Sequence, residues 1–247
     1  MHTGVDLIVH QAAQALLVDA RLLVAPLHLR KGLLRLIDKT TGACLTAHNV
    51  TRNLYFPFSG GIETRIGGLF EPTGWMEPTL ITHRRPRELV WSGQTRDGLE
   101  LTRQMRLDDH QAKLTLTFRL RNTKTDTVRT RLRSHAEWDL GQLRQTQVTF
   151  TDKADRPTTV DIDQMIAGLR EGTHYHDDAC PAGALELYGD KGLKVLWTFD
   201  ETAVKSAWLY AYPEYIGVLE AELWSDEAPL APGEEITLQQ TLTIRKE

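Results

Sequence analysis

Glu220 and Glu222 stand two residues apart in a run that alternates, so both carboxylates project to one face of an extended strand. Such a face is either solvated or the acidic floor of a cleft. His135 follows an arginine-rich strand and reads either as a hydrogen-bonded surface histidine or as a proton carrier. Carboxyl and imidazole groups are readily tuned toward neutral pH, which is what moving a proton to or from a reacting oxygen requires. Glu137 and Asp139 are expected on the face away from His135 and Trp138, in solvent or paired with the local arginines. His83 opens the basic run HRRPR, which is either solvated or a contact for a phosphate or an acidic sugar. His174, His176, Asp177 and Asp178 carry groups that suit a divalent ion, but a polar loop explains them equally, and no metal site is assigned. Gly60-Gly61 and Gly67-Gly68 are turn and close-approach glycines; no phosphate-cradling motif precedes a helix, so no nucleotide site and no cofactor are expected.

The elements that must carry these residues are nearly all strands. Leu99–Leu107 alternates, with Leu99, Leu101, Arg103, Met105 and Leu107 on one face. Lys113–Arg121 places Leu114, Leu116, Phe118 and Leu120 on one face and a Thr/Arg set on the other, the mark of a half-buried antiparallel strand. Leu33–Asp38 and Ala43–Ala47 read as a hairpin about residues 39–42. Further strands are expected at Thr127–Arg133, Gln145–Phe150, Ala184–Leu187, Leu193–Phe199, Ser206–Tyr212, Ile216–Trp224 and Ile236–Ile244, with Asp226–Glu234 as a loop. Helix is expected only at Val9–Val18 and Asp161–Leu169. The polar stretch Asp152–Pro181 reads as a long excursion over the sheet. The late aromatics, among them Trp197, Trp208 and Trp224, fall at strand spacing and are expected mostly in the core, with Tyr210–Tyr215 at a loop edge where it could line a groove. Many strands and almost no helix imply one all-β domain spanning 1–247, a large antiparallel sandwich.

Composition narrows the partners. The 247 residues are 41% hydrophobic and 25% charged, enough for a core. A formal charge of −4 argues against nucleic acid, which needs a net-basic face. The two cysteines, Cys44 and Cys180, are read as reduced and structural. Neither a secretory signal at Met1–His10 nor an apolar run of membrane-spanning length is seen, so no membrane partner and a cytoplasmic location are expected.

The run LTLTFRLRNTKTDTVRTRLRSHAEWDLG contains a strand, the turn Arg121-Asn122-Thr123, a second strand, and the segment His135–Leu140. Glu222-Leu223-Trp224-Ser225 is followed by Leu230–Glu234 and a closing strand, and His83, Arg87 and Trp91 keep a third spacing. Together these features resemble the galactose-mutarotase-like supersandwich, the group of aldose 1-epimerases and hexose-6-phosphate epimerases. The resemblance implies a sugar or sugar phosphate as the small-molecule partner, with mutarotation as the chemistry. It implies Glu222 as general base and His135 as general acid. It implies His83 holding sugar oxygens, Arg87 or Arg65 bonding hydroxyls or a phosphate, and Trp138 and Trp224 stacking on a pyranose. Three readings stay open at this level: an epimerase, a non-catalytic carbohydrate-binding or accessory protein on the same fold, and a sandwich that binds something else.

Overall fold

Strand-forming segments with one apolar face must bury that face, and the computed structural model shows them doing so in two large antiparallel sheets. It describes residues 5–9, 16–23, 30–38, 41–47, 61–68, 80–85, 87–95, 97–108, 110–168, 172–211 and 217–246. The eight-stranded sheet runs in the order β1 (Val5–Val9), β2 (Leu16–Leu23), β3 (Arg30–Asp38), β4 (Gly61–Ile66), β10 (Leu132–Trp138), β17 (Leu219–Trp224), β16 (Ser206–Ala211), β13 (Thr173–His176). The nine-stranded sheet runs β12 (Pro157–Thr159), β11 (Gln147–Thr151), β14 (Ala184–Tyr188), β15 (Leu193–Phe199), β19 (Glu235–Lys246), β8 (Lys113–Asn122), β7 (Leu99–Leu107), β6 (Glu88–Gln94), β5 (Leu80–Arg85). A two-stranded ribbon pairs β9 (Val128–Thr130) with β18 (Ala228–Leu230).

The sheets face each other across one core. β10 lies against β19 and β8. Trp138 of β10 meets Trp197 of β15 edge to face at 5.6 Å. A buried polar link crosses the same gap: Gln240 Nε2 donates to Ser134 Oγ at 2.7 Å, and Trp197 Nε1 donates to Gln240 Oε1 at 2.8 Å. The alternation expected of β7 and β8 is present, with Leu99, Leu101, Met105, Leu107, Leu114, Leu116, Phe118 and Leu120 all buried. Arg103 is buried in the same row.

Four expectations change. Val9 and residues 16–18 are strand, not helix, because β1 and β2 pair along their length (residues 10–15 lie outside those described). Thr127–Arg133 is two strands in different sheets, broken at Arg131, whose guanidinium pairs with Glu227. The segment Asp226–Glu234 contributes β18 rather than being wholly loop. The excursion Asp152–Pro181 adds an edge strand to each sheet, β12 on β11 and β13 on β16, with the short helix α1 (Ile162–Gly168) between them. That helix falls within the expected Asp161–Leu169 segment. Tyr212–Tyr215 and Gly60 lie outside the described residues.

Candidate active site

The chemistry-bearing residues collect on one face of the eight-stranded sheet, and strand alternation explains why. In β17, Leu219, Ala221 and Leu223 are drawn into the core, which drives Glu220, Glu222 and Trp224 to the opposite face. In β10, Leu132, Ser134, Ala136 and Trp138 take the core side, leaving Arg133, His135 and Glu137 facing away from the nine-stranded sheet. Antiparallel register then aligns these sets into rows. One row reads Glu63, His135, Glu222, Trp208 and His174. A flanking row reads Arg65, Arg133, Trp224, Ser206 and His176, and the other reads Gly61, Glu137, Glu220 and Tyr210.

The pairing of His135 with Glu222 across β10 and β17 puts their side chains in contact range. His135 Nε2 lies 3.7 Å from Glu222 Oε1 and 2.6 Å from Glu220 Oε1, while His135 Nδ1 is 4.0 Å from Glu137 Oε1. The 2.6 Å approach is the shortest of these contacts. Arg133 Nη2 is 3.5 Å from Glu222 Oε1, and Arg65 Nη2 is 3.9 Å from Glu63 Oε2. His135, Glu137, Glu220, Glu222, Glu63, Arg65 and Arg133 are all at most 3% exposed, so this face is sheltered from water as thoroughly as the core face.

Burial sets the protonation states. It lowers the His135 imidazole to about 3, with Arg65 adding to the effect, so the ring is neutral at pH 7. It raises Glu220 to about 7, against the opposing pull of Arg65 and Arg133. It raises Glu222 as well, with the Arg133 guanidinium holding that rise back. The two shifts at the short contact agree: below about pH 7 the proton rests on Glu220, beside an uncharged imidazole. His135, Glu220 and Glu222 also form a set whose ligand atoms lie within 4.8 Å of one another, a spacing a small cation could bridge.

Of the residues singled out in the sequence, the structure brings together His135, Glu220, Glu222, Glu137 and Arg65, with Trp224 on the same face. Trp138, His83 and Arg87 lie elsewhere. Trp138 is a core residue: it stands on the opposite face of β10 from His135, because positions 135 and 138 differ in parity, and it packs on Trp197. Its expected stacking on a sugar is therefore withdrawn. Glu137, expected opposite His135, shares its face and is buried. Asp139 pairs with Lys191, Nζ to Oδ1 at 2.9 Å. His83 and Arg87 belong to the β5–β6 hairpin at the edge of the nine-stranded sheet, away from which the cluster faces. His83 there lies 3.6 Å from Glu88, and Arg87 is exposed. Trp224 is buried with the Arg133 guanidinium 4.5 Å over its ring and the edge of His174 at 4.9 Å, so its faces are already packed. His174 thus serves as a ring contact, while His176 and Asp177 pair in solvent at 2.7 Å.

Sequence reasoning passed over Glu63 and Arg133. The signal for Arg133 was present in the alternation of LRSHAEW, where it shares parity with His135. Glu63 and Arg65 alternate likewise in β4. Trp208 and Tyr210, assigned mostly to the core and to a loop edge, are half-buried, and their rings stack at 5.6 Å with an interplanar angle of 5°.

Comparison with known proteins bears on the fold. No family model matches the chain, and no curated protein matches its sequence. Solved structures match over nearly their whole length. A galactose mutarotase related enzyme from Lactobacillus acidophilus superposes with a TM-score of 0.68 at 10% identity, covering 98% of each chain. An aldose epimerase homologue from C. elegans gives 0.67 at 11% identity, covering 98% of this chain and 99% of the other. A galactose mutarotase-like protein from Lactobacillus casei gives 0.65 at 9% identity, covering 97% and 100%. At such identities the likeness establishes a common architecture and leaves chemistry to the site.

Proposed function

We propose, with the galactose-mutarotase-like sandwich as the premise, that the chain is a carbohydrate-active protein that interconverts sugar anomers by acid–base ring opening. The observation that carries this reading is the convergence of His135, Glu220 and Glu222 from adjacent strands onto one sheltered face. Glu222, in its carboxylate form beside the Arg133 guanidinium, takes the proton of the anomeric hydroxyl. The Glu220–His135 pair supplies a proton to the ring oxygen, the ring C–O bond breaks, and an open-chain aldehyde forms. Rotation about the bond to the carbonyl carbon and reclosure on the other face return both protons, so nothing is consumed. His135 does not serve as an imidazolium donor on its own, since burial keeps it neutral; Glu220 is the group whose protonation lies near working pH. Arg65 is suited to bonding a hydroxyl.

A second reading follows from the same burial. A sugar reaches groups this sheltered only if the face opens, and a protein on this fold that binds carbohydrate without turnover needs no such opening. Polarimetry on freshly dissolved α-glucose and α-galactose separates the two. The epimerase reading expects a mutarotation rate above buffer, and about a 100-fold or greater loss in kcat for Glu222→Gln at unchanged melting temperature. A rate equal to buffer for both sugars and their 6-phosphates, from a folded chain, would falsify it in favour of binding alone.

A further inference from the structure

The basic run HRRPR takes no part in the proton-transfer cluster, and the fold gives its arginines a place of their own. Antiparallel register sets Arg85 of β5, Glu88 of β6 and Arg106 of β7 side by side in one row. Leu89 and Leu107, the next residues along β6 and β7, are buried, so alternation turns Glu88 and Arg106 to the outer face of the nine-stranded sheet. The His135 cluster looks outward from the other sheet. The core and both sheets therefore stand between the two places, and packed sheets lie about 10 Å apart. Together with Arg87, Asp108 and His110, the row lines a depression of about 410 Å³.

Three guanidinium groups meet two carboxylates in this depression, and both carboxylates are engaged elsewhere. Glu88 Oε1 accepts from Gln104 Nε2 at 2.5 Å, and its Oε2 lies 3.6 Å from His83 Nε2. Asp108 Oδ1 accepts from the backbone amides of His110 at 2.8 Å and Gln111 at 2.9 Å, which closes the turn between β7 and β8. Arg85 and Arg106 are exposed, and among the described residues their guanidinium groups make no ion pair or hydrogen bond. Their backbones stand two strand spacings apart, about 10 Å, a span that two arginine side chains can close over one small anion. A guanidinium presents a planar fork of donors that matches two oxygens of a phosphate, and a phosphate has oxygens enough for two forks. The depression is concave and of a size that suits a small molecule.

We infer that this depression is a second binding site, for a phosphorylated small molecule, with Arg85 and Arg106 clamping the phosphate between them. It is separate from the proton-transfer cluster and holds whether or not the chain turns sugars over. Calorimetric titration of the full chain with pyrophosphate, inorganic phosphate and glucose 6-phosphate tests it, at about 20 mM salt so that the charges are little screened. Glucose serves as the uncharged control. Affinity for pyrophosphate should fall about tenfold in Arg85→Ala and in Arg106→Ala, and by less in Arg106→Lys, which keeps the charge and loses the fork. Glu88→Gln should tighten binding, because it removes the negative charge between the two guanidinium groups. Arg129→Ala, an exposed position on the two-stranded ribbon, should leave it unchanged. Arg85 and Arg106 are exposed, so their variants keep the core, and melting temperatures equal to the parent's confirm it. No heat up to about 10 mM pyrophosphate, or losses in Arg129→Ala as large as in Arg106→Ala, overturns the inference. A polyglutamate peptide held more tightly than pyrophosphate by the same arginines overturns the ligand class. The polarimetric rate of Arg106→Ala should equal that of the parent chain, so a failure here and a failure of the epimerase reading are told apart.

Discussion

His135 and Glu220 lie 2.6 Å apart and carry pKa values displaced in opposite senses, which makes a pH signature specific to these two residues. Lowered from 6.5 to about 3, His135 binds fewer protons in the folded chain than in the unfolded one across that interval, so it adds stability that is lost as pH falls from 6.5 toward 3. Raised from 4.5 to about 7, Glu220 binds more protons when folded, so its contribution is present at low pH and lost as pH rises through about 7. Between 4.5 and 6.5 the two slopes oppose each other. Above 6.5 the Glu220 slope is no longer opposed by His135. Urea midpoints should therefore decline between pH 6.5 and 8 in the parent chain and decline less in Glu220→Gln. Equal declines in the two proteins would place the titrating group elsewhere. On the proposed mechanism the same proton on Glu220 is the one delivered, so the polarimetric rate should fall as pH rises through about 7.

At the scale of elements, the turn after β8 fixes how the chain enters β10. Asn122 is fully buried, and its Nδ2 donates to the carbonyl oxygens of Asp126 and Leu230, each at 2.8 Å, while Oδ1 accepts from Lys124 N at 2.9 Å. One side chain thereby ties the β8 end to β18 of the small ribbon. Asn122→Ala strands two carbonyls and one amide and should cost about 2–3 kcal/mol, read as a lower urea midpoint. It should leave the pH 6.5–8 decline in place, since it does not touch the Glu220 face. The Asn turn was among the features that resembled the mutarotase-like group, and its hydrogen bonds give that resemblance a structural reason. The site strands depend on the same logic: β10 and β17 are aligned by ladder hydrogen bonds, so a one-residue slip would turn His135 into the core and bring Trp138 out.

For the molecule as a whole, the core behind β10 holds the active face in place. Trp138 against Trp197, and Gln240 bridging to Ser134, fix β10 to the nine-stranded sheet from the side opposite His135. Trp138→Ala should cost about 3–5 kcal/mol through the cavity it leaves, lowering the urea midpoint far more than Trp208→Ala does. Its polarimetric rate should match that of the parent chain at temperatures where it is folded. A loss as large as that in Glu222→Gln would return Trp138 to the sugar site.

The sequence by itself determined the all-β class and most strand positions, because a period of two with one apolar face has a single economical solution: bury that face against another sheet. It also determined that Glu220 and Glu222 share a face, since alternation within one strand is local. Which strands lie side by side is not local. Only the tertiary structure set His135 of β10 opposite Glu222 of β17 and Glu63 of β4, residues far apart in the chain. It alone sent His83 and Arg87 to a different sheet and placed Trp138 and Trp208 on opposite sides of theirs. And it alone covered the polar faces of β10 and β17, turning carboxylates that alternation permits in open solvent into buried groups with displaced proton affinities, because the cost of burying a charge depends on everything packed around it.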